Sequence, residues 1–448
     1  MNTATLAATP ADRAFASLES VHRSIPVPAA GSGWAARARR LASFAGPGYL
    51  VAVGYMDPGN WATSLAAGSR YGTGLLGVIV AANLMAMLFQ AAAVRLGVAG
   101  GIDLARACRD HFPRWANTGL WLGCETAIVA CNLAEVLGMA IGLQLLFGLP
   151  MAAGVVLTAL DVSLVLALQR RGFRCVEAVV AALVGVVALC FVAQLAWAHP
   201  VLSDVARGAL PGLHSLADGN FIYLAVGIVG ATVMPHNLYL HSAIVQTRRH
   251  GTSAQGTRQA IRCATIDSNL ALALATFVNI AILVVAASAF HRAGQPAVTD
   301  LSQAYRLIAP LLGVGIASLV FGVALLASGL SASVTGTLAG QVVMEGFLAW
   351  KLSPGLRALA TRALAIGPAL VAAACFGTAG ATKLLVFSQV VLSMQLPFAL
   401  VPLLWFTTRR RCLGVHAFGR RTSALLWAAA GCVISLNLWM LAKFVAEP

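Results

Sequence analysis

Charge is scarce in this chain of 448 residues. Only 10 % of them are Asp, Glu, Lys or Arg, against roughly 25 % in soluble domains, and just 15 are acidic. With 59 % hydrophobic residues and a mean hydropathy of +0.83, too few polar groups remain to cover a soluble surface, so the chain reads as a membrane protein. A CxxC spacing is also missing. The nine cysteines are scattered, and several, such as Cys131, Cys190 and Cys375, fall in apolar runs where they read as small buried hydrophobes. No hydrolytic or redox motif stands out, so the chain is not read as an enzyme. Residues 1–43 lack the continuous apolar core of a signal peptide and carry prolines at 10, 26 and 28; they are read as a flexible cytoplasmic tail. The longest polar connections, 199–218, 247–263 and 291–310, leave no room for a soluble domain.

What the chain does have is apolar runs. They lie near 44–67, 74–96, 118–147, 151–169, 176–198, 219–246, 264–290, 311–349, 363–380, 383–407 and 422–443, each of a length to cross a bilayer. Threaded as alternating crossings, they put 24 of the 30 Lys and Arg on the side of the N-terminus. Only Arg70, Arg207, Arg292, Arg306, Lys383 and Lys443 fall on the other side. This asymmetry places the N-terminus in the cytoplasm and the C-terminus outside. The net charge of +15 therefore reflects topology and contact with anionic lipid rather than a nucleic-acid surface.

Two of the runs are interrupted. Asp57-Pro58-Gly59-Asn60 in the first and Met234-Pro235-His236-Asn237 in the sixth share the pattern x-Pro-x-Asn. Proline lacks an amide hydrogen and clashes with the preceding turn, so each segment breaks its helix. A broken helix at membrane depth is tolerated only where it is buried in protein or lines a cavity. Five spans separate the breaks, and an odd offset reverses a helix across the membrane. The expected architecture is an all-α polytopic fold of two inverted five-helix repeats, 44–198 and 219–407, with an eleventh helix at 422–443. Small residues flank the breaks (Gly54, Gly59, Gly227, Gly230) and allow close helix approach.

The breaks gather a mixed ligand set. Asp57 offers an anionic oxygen, Asn60 an amide oxygen, Met234 a thioether, and a carbonyl just upstream, that of Ala231, points toward the same space. Mg²⁺ and Ca²⁺ take all-oxygen shells and gain almost nothing from sulfur. Manganese and iron accept oxygen-rich sites with one softer partner. Copper(I) would recruit several sulfurs, and structural zinc a closed Cys, His or carboxylate shell. The expected cargo is a divalent transition metal, Mn²⁺ or Fe²⁺ first. Gln389 in the tenth span is a further neutral oxygen that could join in one conformation.

Proton carriers are sought nearby. His236 lies within the second break, with His241 further along on the cytoplasmic half; imidazole ordinarily titrates near neutrality. The third span carries Glu125, Asn132 and Glu135, the last two three residues apart on one face. Arg248, Asp267, Asn279, Arg357 and Arg362 could supply the rest of a polar route, and structural ion pairing accounts for the arginines nearly as well.

These residues resemble the Nramp family of proton-coupled divalent metal transporters, in its bacterial MntH branch. The resemblance spans about 44–443 and rests on Asp57-Pro58-Gly59-Asn60, on residues 230–242 (Gly-Ala-Thr-Val-Met-Pro-His-Asn-Leu-Tyr-Leu-His-Ser), on residues 133–138 (Leu-Ala-Glu-Val-Leu-Gly) and on residues 388–393 (Ser-Gln-Val-Val-Leu-Ser). It implies a LeuT-like fold in a bacterial cytoplasmic membrane, importing Mn²⁺ and Fe²⁺, with Cd²⁺ and Co²⁺ as mimics, alongside protons, with no resident cofactor. Asp57, Asn60 and Met234 match the family's metal-binding side chains, with the Ala231 carbonyl and Gln389 contributing; Glu135 and His236 match positions tied to proton movement, and Arg357 one member of an arginine pair. Two departures concern coupling. Asn132 stands where the family usually has aspartate, and Ala358 replaces the second arginine, although Arg362 lies one turn on. The functional unit is expected to be a monomer. A Mg²⁺-type transporter, which should lack the sulfur, and a sodium-coupled amino-acid transporter, whose substrate carboxylate Asp57 would repel, remain the alternatives.

Overall fold

The computed structural model describes residues 18, 21–28, 33–209, 218–251, 253–294, 298, 300–349 and 354–446. The tail expected over 1–43 thus falls only partly within the described residues. Its described part holds a short strand β1 (Ile25–Pro26) and helix α1 (Trp34–Phe44), the latter with arginines at 37, 39 and 40.

The first span is split by its break into α2 (Pro47–Gly54) and α3 (Pro58–Tyr71). Then come α4 (Leu76–Arg95), ending in a π turn to Gly100, a short α5 (Leu104–His111) and the long third span α6 (Arg114–Phe147). The fourth span is α7 (Met151–Leu157) running through a 3-10 turn into α8 (Asp161–Arg170), and the fifth is α9 (Phe173–Ala198). A short α10 (Leu202–Gly208) occupies part of a connection expected to be polar loop. The sixth span is broken into α11 (Gly219–Thr232) and α12 (Pro235–Ile244), and a strand β2 (Arg248–Arg249) pairs in parallel with β1.

Three boundaries differ from the hydropathy reading. The seventh span, α13 (Ala254–Ala286), starts ten residues early because Ser253 caps it through the Gly256 N–H. The long run at 311–349 resolves into the end of α14 (Leu301–Leu312), stopped by Gly313 at φ +68°, and the eighth span α15 (Ala317–Leu348). The ninth and tenth spans form one helical run, α16 (Pro354–Thr408), divided at Gly377, whose φ of +60° and ψ of −156° are open to glycine but strained for other residues. Arg357 and Arg362, expected just before the ninth span at 363–380, therefore ride on it. Hydropathy counts their charge without seeing the carboxylates that neutralise it. A short α17 (Arg410–Leu413) and the eleventh span α18 (Arg420–Ala446) close the chain.

Among the described residues ten helical stretches are long and apolar enough to cross a membrane, and the split first span supplies the eleventh crossing. The sixth span is 94 % buried over its most apolar window, the eleventh only 22 %. The broken helices thus lie inside the bundle, packed by α6, α13, α15 and α16, where interrupted backbone can be satisfied.

Candidate metal centre

Proline at the first helical position sets both breaks. Pro58 opens α3 and Pro235 opens α12, where the missing N–H would have had no partner anyway. The chain leaves helical geometry at Asp57 (φ −65°, ψ 164°) in one span and at Val233 and Met234 in the other. Carbonyls freed at the first break find side-chain donors. Asn279 Nδ2 donates to the Tyr55 carbonyl at 2.8 Å, and Trp61 Nε1 (3.0 Å) and Ser328 Oγ (2.5 Å) both donate to that of Met56.

Asp57 caps α3: its Oδ1 accepts the Asn60 N–H at 2.9 Å, an anion at the positive end of a helix. Its Oδ2 lies 3.5 Å from Gln389 Nε2. Asn60 Nδ2 donates to the Ala231 carbonyl at 2.7 Å, which joins the two breaks directly. Gly59 is what lets the tenth span approach, since a β-carbon there would collide with the Gln389 amide. Asp57, Asn60, Ala231, Met234 and Gln389 are all at most 1 % exposed. Met234 packs with Ala127, Cys131 and Leu392, so its thioether faces the third and tenth spans.

Buried polar atoms without a partner gather here: Thr232 Oγ1, both ring nitrogens of His236, Asn237 Oδ1 and Gln389 Oε1. Buried polar groups are normally paired, so this is a place built to meet something polar. Among the described residues no three His, Cys, Asp or Glu converge. The donor set is the mixed one, with a single carboxylate, rather than a closed thiolate or imidazole shell.

A second polar cluster lies along the third span. Arg362 Nη1 meets Glu135 Oε2 at 3.2 Å, while its Nε donates to Asp161 Oδ1 at 3.2 Å, its Nη2 reaches Asp161 Oδ2, and Nη2 also donates to Ser333 Oγ at 2.7 Å. Ser333 in turn donates to Asp161 Oδ2 at 2.6 Å. Cys131, which touches Met234, lies 3.5 Å from Glu135 Oε1 and so stands between the two clusters. Gly336 of α15 faces them; a β-carbon there would come within 2.7 Å of Glu135 Oε1 and 2.8 Å of Asn132 Oδ1.

Other candidates sit apart. Asp267 accepts the N–H groups of Gly46 (3.4 Å) and Gly48 (2.7 Å), holding the start of α2. Arg248 pairs with Glu177 at 2.6 Å and donates to the Ser43 and Ala45 carbonyls. Arg357 pairs with Glu345 at 3.2 Å, and Glu125 accepts from Trp121 Nε1 at 3.1 Å. His241 Nδ1 lies 2.8 Å from Gln90 Oε1, and Gln90 donates to the Tyr55 hydroxyl at 2.8 Å. Asp161 was missed by the sequence reading, though an ionisable residue in the middle of the apolar fourth span was signal enough.

The Nramp family profile, described as natural resistance-associated macrophage protein-like, matches residues 48–443. A "Divalent metal cation transporter MntH" of Bradyrhizobium diazoefficiens is 53 % identical over 426 residues, covering 95 % of this chain and 94 % of that one. Another so named, from Xanthomonas campestris, is 52 % identical over 427 residues, covering 95 % of each. The crystal structure of a manganese transporter from Eremococcus coleocola superposes with a TM-score of 0.87 at 36 % identity, covering 96 % of this chain and 92 % of that one. Mhp1, a nucleobase-cation-symport-1 family transporter, shares the fold alone, with a TM-score of 0.57 at 17 % identity. The all-α polytopic architecture is therefore the LeuT-like one expected, with helices 1 and 6 broken, and the chain belongs to the Nramp family.

Proposed function

We propose that this protein is a secondary transporter that carries divalent transition-metal ions, Mn²⁺ first and Fe²⁺ with it, into a bacterial cytoplasm together with protons. The carrying observation is the direct bond between the two breaks, Asn60 Nδ2 to Ala231 O at 2.7 Å, with Asp57 and Gln389 in the same buried set. In the metal-bound form Asp57 supplies charge, the Ala231 carbonyl and a turned Asn60 amide supply neutral oxygens, Met234 the sulfur, and Gln389 a further oxygen in some states. One thioether among oxygens favours Mn²⁺, Fe²⁺, Co²⁺ and Cd²⁺ over Mg²⁺ and Ca²⁺.

For the proton, Glu135 and Asp161 share one guanidinium. Two carboxylates against one cation leave a negative charge for a proton to neutralise. Glu135 is the acceptor in this reading, with His236 beside the metal, Arg362 and Asp161 as its electrostatic frame, and Asn132 a silent neighbour. Glu125 and Arg357 lie toward one mouth of that route, and Asp267 holds α2. The inverted repeats 44–198 and 219–407 give one chain a complete path, with the N-terminus cytoplasmic, the C-terminus outside and a monomer as the working unit.

The test is Mn²⁺ uptake into proteoliposomes with internal pH followed and voltage clamped by ionophore. Mn²⁺ uptake that acidifies the lumen and resists excess Mg²⁺ is expected. Uptake of Mg²⁺ at the same rate, or of an amino acid driven by sodium, overturns the reading.

A further inference from the structure

Two cavities meet at Arg262 and Ile266 of α13. One, of about 460 Å³, lies between α13 and α1 and is lined by Arg37, Arg40 and Arg262 with Leu41 and Ile266 beneath. The other, of about 550 Å³, is lined by Arg95, Arg258, Arg262 and His416 with Ile261 and Ile266. Among the described residues no acidic side chain lines either.

That absence sets these arginines apart. Buried Arg248, Arg357 and Arg362 each hold a carboxylate. Arg37, Arg40, Arg258 and Arg262 make no ion pair among the described residues, and Arg95 is engaged by the His416 carbonyl at 3.0 Å and by the Phe418 ring. Partial burial, then the charges of Arg258 and Arg95, holds the His416 imidazole below its ordinary pKa, a sign of positive potential in the second cavity.

Their placement along α13 is ordered. Arg258, Arg262, Ile266 and Leu270 follow at four-residue intervals and share one face. Two cations are followed by two apolar side chains, and Leu270 is 60 % exposed. Exposed Trp34 of α1 lies in the segment that walls the first cavity, the residue type that settles at a membrane interface. Cationic rim and apolar floor match the boundary between headgroups and acyl chains.

We propose that the paired cavities bind the phosphodiester headgroups of anionic phospholipid, with Arg262 shared by both and acyl chains running along Ile266 and Leu270. A zwitterionic lipid brings its own cation into the arginine cluster and binds more weakly. A soluble phosphate ester would use the same charges without the apolar floor, so the two sources separate experimentally.

Delipidated full-length protein is titrated with phosphatidylglycerol, phosphatidylcholine or glycerol 3-phosphate, and bound ligand is counted by native mass spectrometry. Two phosphatidylglycerol molecules should be retained in preference to phosphatidylcholine. Arg262→Gln should weaken both, by about five-fold per arginine contact, and the pair Arg37→Gln with Arg40→Gln should weaken only one. Arg262→Lys should keep most of the binding, and thermal unfolding in phosphatidylcholine checks that each variant is folded. Equal retention of the two lipids, or equal loss with Arg262→Lys and Arg262→Gln, overturns the proposal. Glycerol 3-phosphate bound as tightly as the lipid overturns it too, and assigns the cavities to a soluble phosphate.

Discussion

Asn60 and Ala231 are joined by a 2.7 Å hydrogen bond from side-chain amide to backbone carbonyl, across 171 residues of sequence. The bond runs from one interrupted helix to the other. In the proposed metal site an ion held between Asp57 and Met234 would replace this bond, so the five buried residues around it are expected to respond as a set.

Asp57 carries the only charge of that set. Asp57→Ala should reduce Mn²⁺ uptake to background, a loss of more than about 100-fold, since even outer partners of metal ligands are worth about 10–100-fold. Asp57→Asn keeps the cap on α3 and should lose nearly as much. Uptake by proteoliposomes with matched protein content decides, and preserved transport in either variant removes Asp57 from the site.

Met234→Ala should leave substantial Mn²⁺ transport while Cd²⁺ affinity falls and Ca²⁺ or Mg²⁺ competes better. Loss of a thioether costs soft ions a bond and hard ions almost nothing. Competition assays with each ion make the comparison. Unchanged Cd²⁺ affinity with unchanged Ca²⁺ exclusion would return Met234 to packing against Cys131 and Leu392.

Removing Arg362 should be worse than removing either of its partners. Arg362→Gln leaves both Glu135 and Asp161 without their shared cation, a loss of about 3–5 kcal/mol for a broken buried pair. Asp161→Asn leaves one carboxylate on one guanidinium and should be milder. Thermal unfolding in detergent ranks the variants. If Asp161→Asn is the more damaging, the shared-arginine account fails.

Asn132→Asp adds a titratable group on the face of Glu135, opposite Gly336. Two carboxylates that close compete for charge, and the pair titrates as a coupled unit. Paired Mn²⁺ and H⁺ fluxes from pH ~5.5 to ~8 should show steeper pH dependence and a tighter proton-to-metal ratio than wild type. An unchanged ratio and profile would place the proton route elsewhere.

Asp267→Asn separates holding a helix from moving a proton. The carboxylate accepts two N–H groups at the start of α2, so the variant should lower stability by about 1 kcal/mol, the usual worth of a cap, and leave the proton-to-metal ratio alone. A changed ratio at unchanged stability would restore Asp267 to the proton path.

Much of the architecture was legible in the chain because its causes are local. Proline breaks a helix wherever it stands, so Pro58 and Pro235 mark the interruptions without knowledge of the fold. Bilayer thickness makes spans visible as apolar length, and charge asymmetry suggests how they thread. Asp57, Asn60, Ala231, Met234 and Gln389 drew attention through the breaks and the family motifs, and the fold gathers all five into one buried region.

Partnership was decided only in three dimensions. Arg362 meets Glu135 across 227 positions and Asp161 across 201, and Asp267 holds Gly48 across 219. No periodicity within a helix encodes which distant helix will lie beside it. The same blindness shortened the ninth span in the sequence reading: a hydropathy window counts the charges of Arg357 and Arg362, whereas the folded protein counts them with Glu345, Glu135 and Asp161, whose attraction lets two arginines be buried on the inner face of that helix. Local chemistry determined where this chain breaks and where it spans; long-range packing decided which buried charges share a partner, because electrostatic energy at low dielectric depends on neighbours that only the tertiary fold supplies.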